Sequence, residues 1–307
     1  SGNLINKGKS DDGFWGTKLD WQISDNHLLE FLAFGDGNNT ATDIYQFDLA
    51  NGQRNDFNNT RYLDNGGSNW SATYTGYLTD DFSMKAMYGE NEREFAQSSL
   101  NDINCSRIRD LRPVGEGDIG CTSTSTVARR LDNREAARLD FEWSLGDHLL
   151  RFGLDHETNT SDHTQFYPGP DRLLYEIRST SPGATLANGG VVPEGVTAYV
   201  RTRTNEVDGT FETINSAYYL EDSWSVTPNF VLNAGLRMEA FDNKNSDGDS
   251  YIKISDMLAP RLGFTWDTVG DGRTKIFGTL GRYFLPVANV INIKQAGGFA
   301  DVRTFYA

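Results

Sequence analysis

The feature that most constrains this chain is a unit repeated five times: an alternating strand, a tight polar turn, and a second alternating strand. The units run Phe14–Asp36, Asn69–Glu94, Glu135–Glu157, Tyr218–Asp242 and Pro260–Phe284. Side chains alternate faces along a strand, so period-2 patterning predicts one apolar and one polar face. In the first unit Trp15, Leu19, Trp21 and Ile23 share a face, opposite Lys18, Asp20 and Gln22. In the third, Leu139, Phe141, Trp143 and Leu145 oppose Arg138, Asp140, Glu142 and Ser144. After the fourth turn, Phe230, Leu232, Ala234, Leu236 and Met238 oppose Asn233, Arg237 and Glu239. Thr274–Phe284 shows no clear parity, and its facing stays open.

The turn markers Asp25, Asp80, Asp147, Pro228 and Asp271 lie far apart. Two membrane strands of about 9–11 residues each would use only part of each interval. The remainder implies tight turns on one rim and long loops on the other. Two Asn/Asp/Gly-rich stretches, "GDGNNTATDIYQFDLANGQRNDFNN" and "DNKNSDGDS", read as such loops. Long structureless loops are rare in compact soluble domains but usual on one rim of an outer-membrane barrel. The fold class expected is therefore all-β: a partial antiparallel transmembrane β-barrel of about ten strands, with short periplasmic turns and long extracellular loops.

Aromatic placement supports that reading. Trp21, Trp143 and Trp224 each sit four residues before their turn marker, and Trp266 and Tyr77 take similar places. An aromatic ring with a polar N–H or O–H suits the membrane interface, so these five form an expected periplasmic girdle. A soluble β-sandwich with core tryptophans is the competing reading, but it gives no reason for their common distance from the turns. Mean hydropathy of -0.54 makes helical spans improbable and leaves a barrel open, because barrel strands alternate. A net charge of -15 argues against nucleic acid as a partner.

The polar faces carry Arg138, Asp140, Glu142, Arg151, Asp155, Arg237 and Glu239, expected to face the lumen as lining or as contacts for a plug. Asp222 is the exception, since it shares parity with Leu220 and Trp224 on the apolar face. Cys105 and Cys121 lie in a polar Gly-rich stretch and are expected to form a disulfide in an oxidising compartment. His27 and His148 fall in turns, where solvated side chains are the simple expectation, and with His156 and His163 they show no zinc spacing. No catalytic constellation, metal site or cofactor site is read, and an enzyme is not expected. Asp242, Asp247 and Asp249 lack both the spacing and the closing Glu of an EF-hand, so a solvated loop is expected there. Acidic outer loops would meet cations that bridge lipopolysaccharide phosphates.

Tyr219, Asp222 and Trp224, then Gly235-Leu236-Arg237, Ala259–Gly263 and Gly281–Tyr283 resemble the barrel of TonB-dependent outer-membrane receptors, most of all the Oar-like subgroup. The specific match covers Ser216 to Pro286; the rest agrees in architecture only. Residues 1–307 would then be part of one receptor barrel domain, with plug, signal peptide and terminal strands lying outside it. The resemblance implies a place in the Gram-negative outer membrane, among lipid and lipopolysaccharide. It also implies a plug domain, TonB reached through an N-terminal part, and uptake of a small ligand, sugar or peptide. An Oar-like adhesin or secretion-associated barrel and a soluble β-sandwich binding module are the alternatives. No ligand-binding residue is assigned; the stretch around Cys105 and Cys121 and Gln165–Val200, with Phe166, Tyr167 and Tyr175, are the loops in range.

Overall fold

The computed structural model describes residues 3–48 and 50–306. In chain order its elements are β1 (Asn3–Ser24), β2 (His27–Asp48), β3 (Gln53–Tyr77), β4 (Phe82–Ser99), β5 (Arg107–Asp110) and β6 (Gly117–Asp118). Then come β7 (Val127–Leu145), β8 (His148–Phe166), β9 (Leu174–Ser179), β10 (Ala198–Arg203), β11 (Glu206–Thr227) and β12 (Phe230–Lys244). The chain ends with β13 (Ser250–Asp267), β14 (Lys275–Gly281), α1 (Asn289–Gln295), β15 (Phe299–Ala300) and β16 (Arg303–Tyr306). The order β1-β2-β3-β4-β7-β8-β11-β12-β13-β14 forms one antiparallel wall, with β15 beside β11. All five expected hairpins are present, each closed by a short turn.

Register shows how the wall divides two environments. Paired residues of an antiparallel ladder share a face. Trp143 pairs with Phe82 and Leu150, and Leu139 pairs with Ala86 and Leu154. Leu220 pairs with Phe152 and Leu236, and Leu236 with Pro260. These residues form a continuous apolar face. Ile276, Gly278 and Leu280 of β14 join it opposite Trp266, Phe264 and Leu262, which settles the parity the sequence left open. The apolar stripe stops abruptly, at Glu90 on β4, Glu135 on β7, His156 on β8, Ser216 on β11 and Asp256 on β13. On β13 it spans Leu258 to Trp266, about 27 Å along the strand at roughly 3.4 Å per residue. For a strand tilted by about 40° that is close to the height of a bilayer's apolar band.

The strands do not end where the stripe ends. β2 continues to Asp48 and β3 begins at Gln53, so the stretch expected as the first long loop is paired strand with a tight turn. Likewise β12 runs to Lys244 and β13 starts at Ser250, leaving a turn closed by Asn245 N–H donating to the Asp249 carbonyl at 2.9 Å. Above a bilayer both faces of a sheet meet water, so these strands need no alternation. Thr, Tyr, Phe and Ile supply the β preference among the turn-forming residues. Two distal connections are long, 100–126 and 167–205. They and the C-terminal segment build a small sheet of order β16-β10-β9-β5-β6.

Trp21, Trp143, Trp224 and Trp266 lie on the apolar face near the short turns, between 38% and 63% exposed. Tyr77 departs from the expected girdle. It pairs with Ser83, on the face of Thr75 and Lys85, at the very end of β3. A one-residue difference flips a strand side chain to the other face, and equal distance from a turn does not fix parity. Phe82, edge-on to Trp143 at 6.1 Å, takes the apolar-face place beside it.

Asp222 has no bulge to re-aim it; its ladder is continuous from Thr213 to Ser225. It stays on the apolar face and meets His148, whose Nδ1 lies 2.8 Å from Asp222 Oδ2. The His148 ring stacks on Trp224 at 5.2 Å. His27 is also partnered on that face, by the Tyr74 hydroxyl at 2.7 Å. Both turn histidines, expected as free solvated side chains, thus pair with polar groups at the girdle.

Candidate functional site: the polar inner face and its distal mouth

The face opposite the apolar stripe gathers the seven charged residues singled out by alternation. Arg138 bonds Asp140 at 2.8 Å, and Arg151 bonds Glu142 at 2.8 Å. Arg237 bonds Glu239 at 2.7 Å and reaches Asp155 at 3.4 Å. Arg138 and Asp155 are themselves ladder partners. The structure adds Tyr219, whose hydroxyl donates to Asp140, and Glu221, 3.9 Å from Arg151. Both lie two or four residues from Ala217 on the same parity, so alternation through "AYYLE" was the available signal. These pairs are partly hydrated, so each contributes about 0.2–1 kcal/mol; their larger effect is to hold an ordered, charged lining.

Further from the short turns, the long loops fold over this same face. Gln97, Ser99 and Arg61 follow Lys85 and Thr75 without a register break, which places them on the inner face at the distal end of β3 and β4. The connection 100–126 is pinned there. Asp102, 7% exposed, accepts hydrogen bonds from the Ser99 amide and hydroxyl and from the Thr122 and Thr124 hydroxyls, the last two at 2.9 Å. Asn59, fully buried, donates to Ser99 Oγ and to the Cys121 carbonyl, each at 3.2 Å. Cys105 and Cys121 are disulfide-bonded, with Cα atoms 5.6 Å apart.

In the small sheet, Glu176 is 4% exposed and bonded by Arg201 Nε at 2.7 Å, with Arg178 at 3.5 Å. Burial alone would raise its carboxyl, but the two guanidinium groups outweigh it and hold it below the usual range. Tyr167 is buried, Phe166 lies under Arg172 at 4.4 Å, and the Tyr175 hydroxyl donates to Asp171. These aromatics are therefore engaged in loop structure.

The segment after β14 also turns inward. Asn292 of α1 is fully buried; its amide donates to Thr213 Oγ1 at 3.1 Å and its oxygen accepts from Asn243 at 3.1 Å. Ile293 packs with Val207 and Phe211. Thr213 shares the parity of Ala217 and Tyr219, so this anchorage is on the polar side of the wall.

A wall with an apolar band of bilayer height on one face, aromatic residues at its turn edge and a charged face over which distal loops fold defines an outer-membrane β-barrel. The chain belongs to the outer membrane beta barrel domain family, whose model matches residues 3–253. It is 27% identical over 174 residues to the TonB-dependent transporter Oar of Myxococcus xanthus, an alignment covering 55% of this chain and 16% of that protein. The fold is similar to the crystal structure of the outer membrane transporter YddB from Escherichia coli. The TM-score is 0.55 at 15% identity, over 91% of this chain and 32% of that one. The chain thus spans a minor part of the length of each protein it resembles. Its location is the outer membrane.

Proposed function

We propose that this chain forms part of the wall of a TonB-dependent transporter that takes up a scarce ligand across the outer membrane. The observation that carries the reading is the inner face: an ordered lattice of charge pairs around Arg138, Arg151 and Arg237, beneath loops that fold inward. Partly exposed pairs of both signs suit reversible contact with a polar plug, because the more exposed ones, such as Arg151–Glu142, can exchange partners at small cost. Similarity to the transporter Oar supports energy coupling through TonB. In this reading the plug sits against the inner face, TonB pulls on it, and ligand passes along the charged lining.

Genetic epistasis tests the proposal. Growth of a strain lacking this gene is compared with that of a tonB-deficient strain across single-nutrient media. The expected result is a shared defect on the same nutrient, with the double mutant no worse than either. A defect in surface attachment or protein secretion that persists independently of TonB would favour the Oar-like adhesin or secretion alternative and overturn the uptake reading.

A further inference from the structure

We propose that the distal mouth holds a binding site for a small hydroxylated oxyanion, a sugar acid or sugar phosphate. A cavity of about 510 Å³ lies between the inner face of β3–β4 and the disulfide-closed connection, lined by Arg61, Gln97, Arg107, Asp118 and the run Thr122–Ser125. Its loop wall is fixed before any ligand arrives, by the disulfide, the Asp102 cluster and the Asn59 anchor.

The unmatched groups in this cavity are donors. Among the described residues, the exposed Arg61 side chain has no hydrogen-bonding or ion-pair partner, and its five N–H donors are available. The Ser123 hydroxyl is buried with no partner. Arg107 is held only loosely by Asp118 at 3.4 Å, with one further bond to the Ser125 carbonyl. Among the lining residues two guanidinium groups face one carboxylate, with Asp102 behind Thr122 and Thr124 already taken up by their hydroxyls, inside a chain of net charge -15. A planar fork of donors matches a carboxylate or phosphate, and neighbouring hydroxyls match a polyol. Arg61 and Gln97 lie on the inner face of the wall, opposite the lipid side, so the oxyanion is taken to be a soluble molecule and not a lipid phosphate. As the cargo class of the proposed transport this rests on that reading; as a binding site it stands without it.

Calorimetric titration of the protein purified from outer membranes in detergent, with gluconate, inorganic phosphate and neutral glucose as probes, tests it. Gluconate is expected to bind, phosphate more weakly, and glucose not at all. Arg61→Gln should weaken gluconate binding at least tenfold, with Arg61→Lys intermediate. Asp118→Asn should strengthen it several-fold, because it removes a like charge and frees Arg107; a purely structural role for Asp118 would not produce a gain. Heat-modifiable migration on gels confirms that each variant is folded. Equal binding of glucose, or wild-type affinity in folded Arg61→Gln, would overturn the proposal. Purified lipopolysaccharide displacing gluconate from the site would overturn the assignment to a soluble ligand. Because no TonB is present, binding survives or fails independently of the uptake test.

Discussion

The side chains that break the alternation are the ones whose partners can be tested one at a time. Asp222 stands on a lipid-side face because His148 takes one of its oxygens and stacks on Trp224. Its other oxygen has no partner. Removing His148 would leave a desolvated carboxylate, so His148→Ala should lower unfolding free energy by about 1–3 kcal/mol. The double change His148→Leu with Asp222→Leu should restore most of that loss, because both polar groups then leave together. Urea unfolding in lipid vesicles measures both; equal losses in the single and double variants would show that the pair has no such coupling. His163 lies beyond the apolar band on β8 and makes a different case. Arg130 Nε donates to its Nε2 at 2.9 Å, which requires the neutral ring. Burial, and then Arg130, hold the imidazole below its ordinary value of 6.5. A depressed folded pKa means that the unfolded chain binds the proton first. The stabilisation is complete above about pH 6.5 and is lost as pH falls towards the folded value. Protection factors of the 129–131 and 161–165 ladder, with the intrinsic pH dependence of amide exchange divided out, should therefore fall between pH 7.5 and 5. His163→Gln should flatten that dependence; an unchanged profile in the variant would remove His163 as its origin.

At the scale of elements, the connection 100–126 is secured twice, by the disulfide and by the Asp102 and Asn59 contacts. Cross-linking a loop of 16 residues limits the unfolded state by about 3 kcal/mol in the chain-entropy model. Cys105→Ser should make this connection cleavable by trypsin at Arg107 and Arg109, while the hairpin wall keeps its heat-modifiable migration. If the loop stays resistant, the polar contacts alone hold it. The same element shows where a sequence is readable. The five hairpins, the facing of Phe230–Met238 and the grouping of the charged residues follow from alternation, because a bilayer on one side forces it. Above the bilayer that force is absent. Residues 36–48 and 53–65 are paired strand with no regular pattern, and only their partners reveal it. Tyr77 shows the complementary limit: its distance from the turn was legible, but its face required the register with Ser83. The inner cavity was not legible at all, since it joins residue 61 to residues 97–125, segments that only the ladder and the folded loop bring together.

For the whole molecule, the consequence of this topology lies at its two ends. Within the described residues β1 pairs only with β2, and β14 only with β13. The ten-strand wall therefore presents two open rows of backbone donors and acceptors. In hydrocarbon each unsatisfied backbone group costs several kcal/mol, which is why membrane sheets close on themselves. β14 is the weaker edge: it has 7 residues, and its own Phe277 and Leu280 are 70% and 78% exposed. Residues 1–307 produced by themselves should satisfy these edges through other copies, giving concentration-dependent oligomers when refolded in lipid. Light scattering across a tenfold range of protein concentration measures this. A folded monomer of 307 residues in lipid, unchanged by dilution, would mean that the edges are satisfied within the chain, through the inward-turned segment that carries α1 or by closure of β1 on β14.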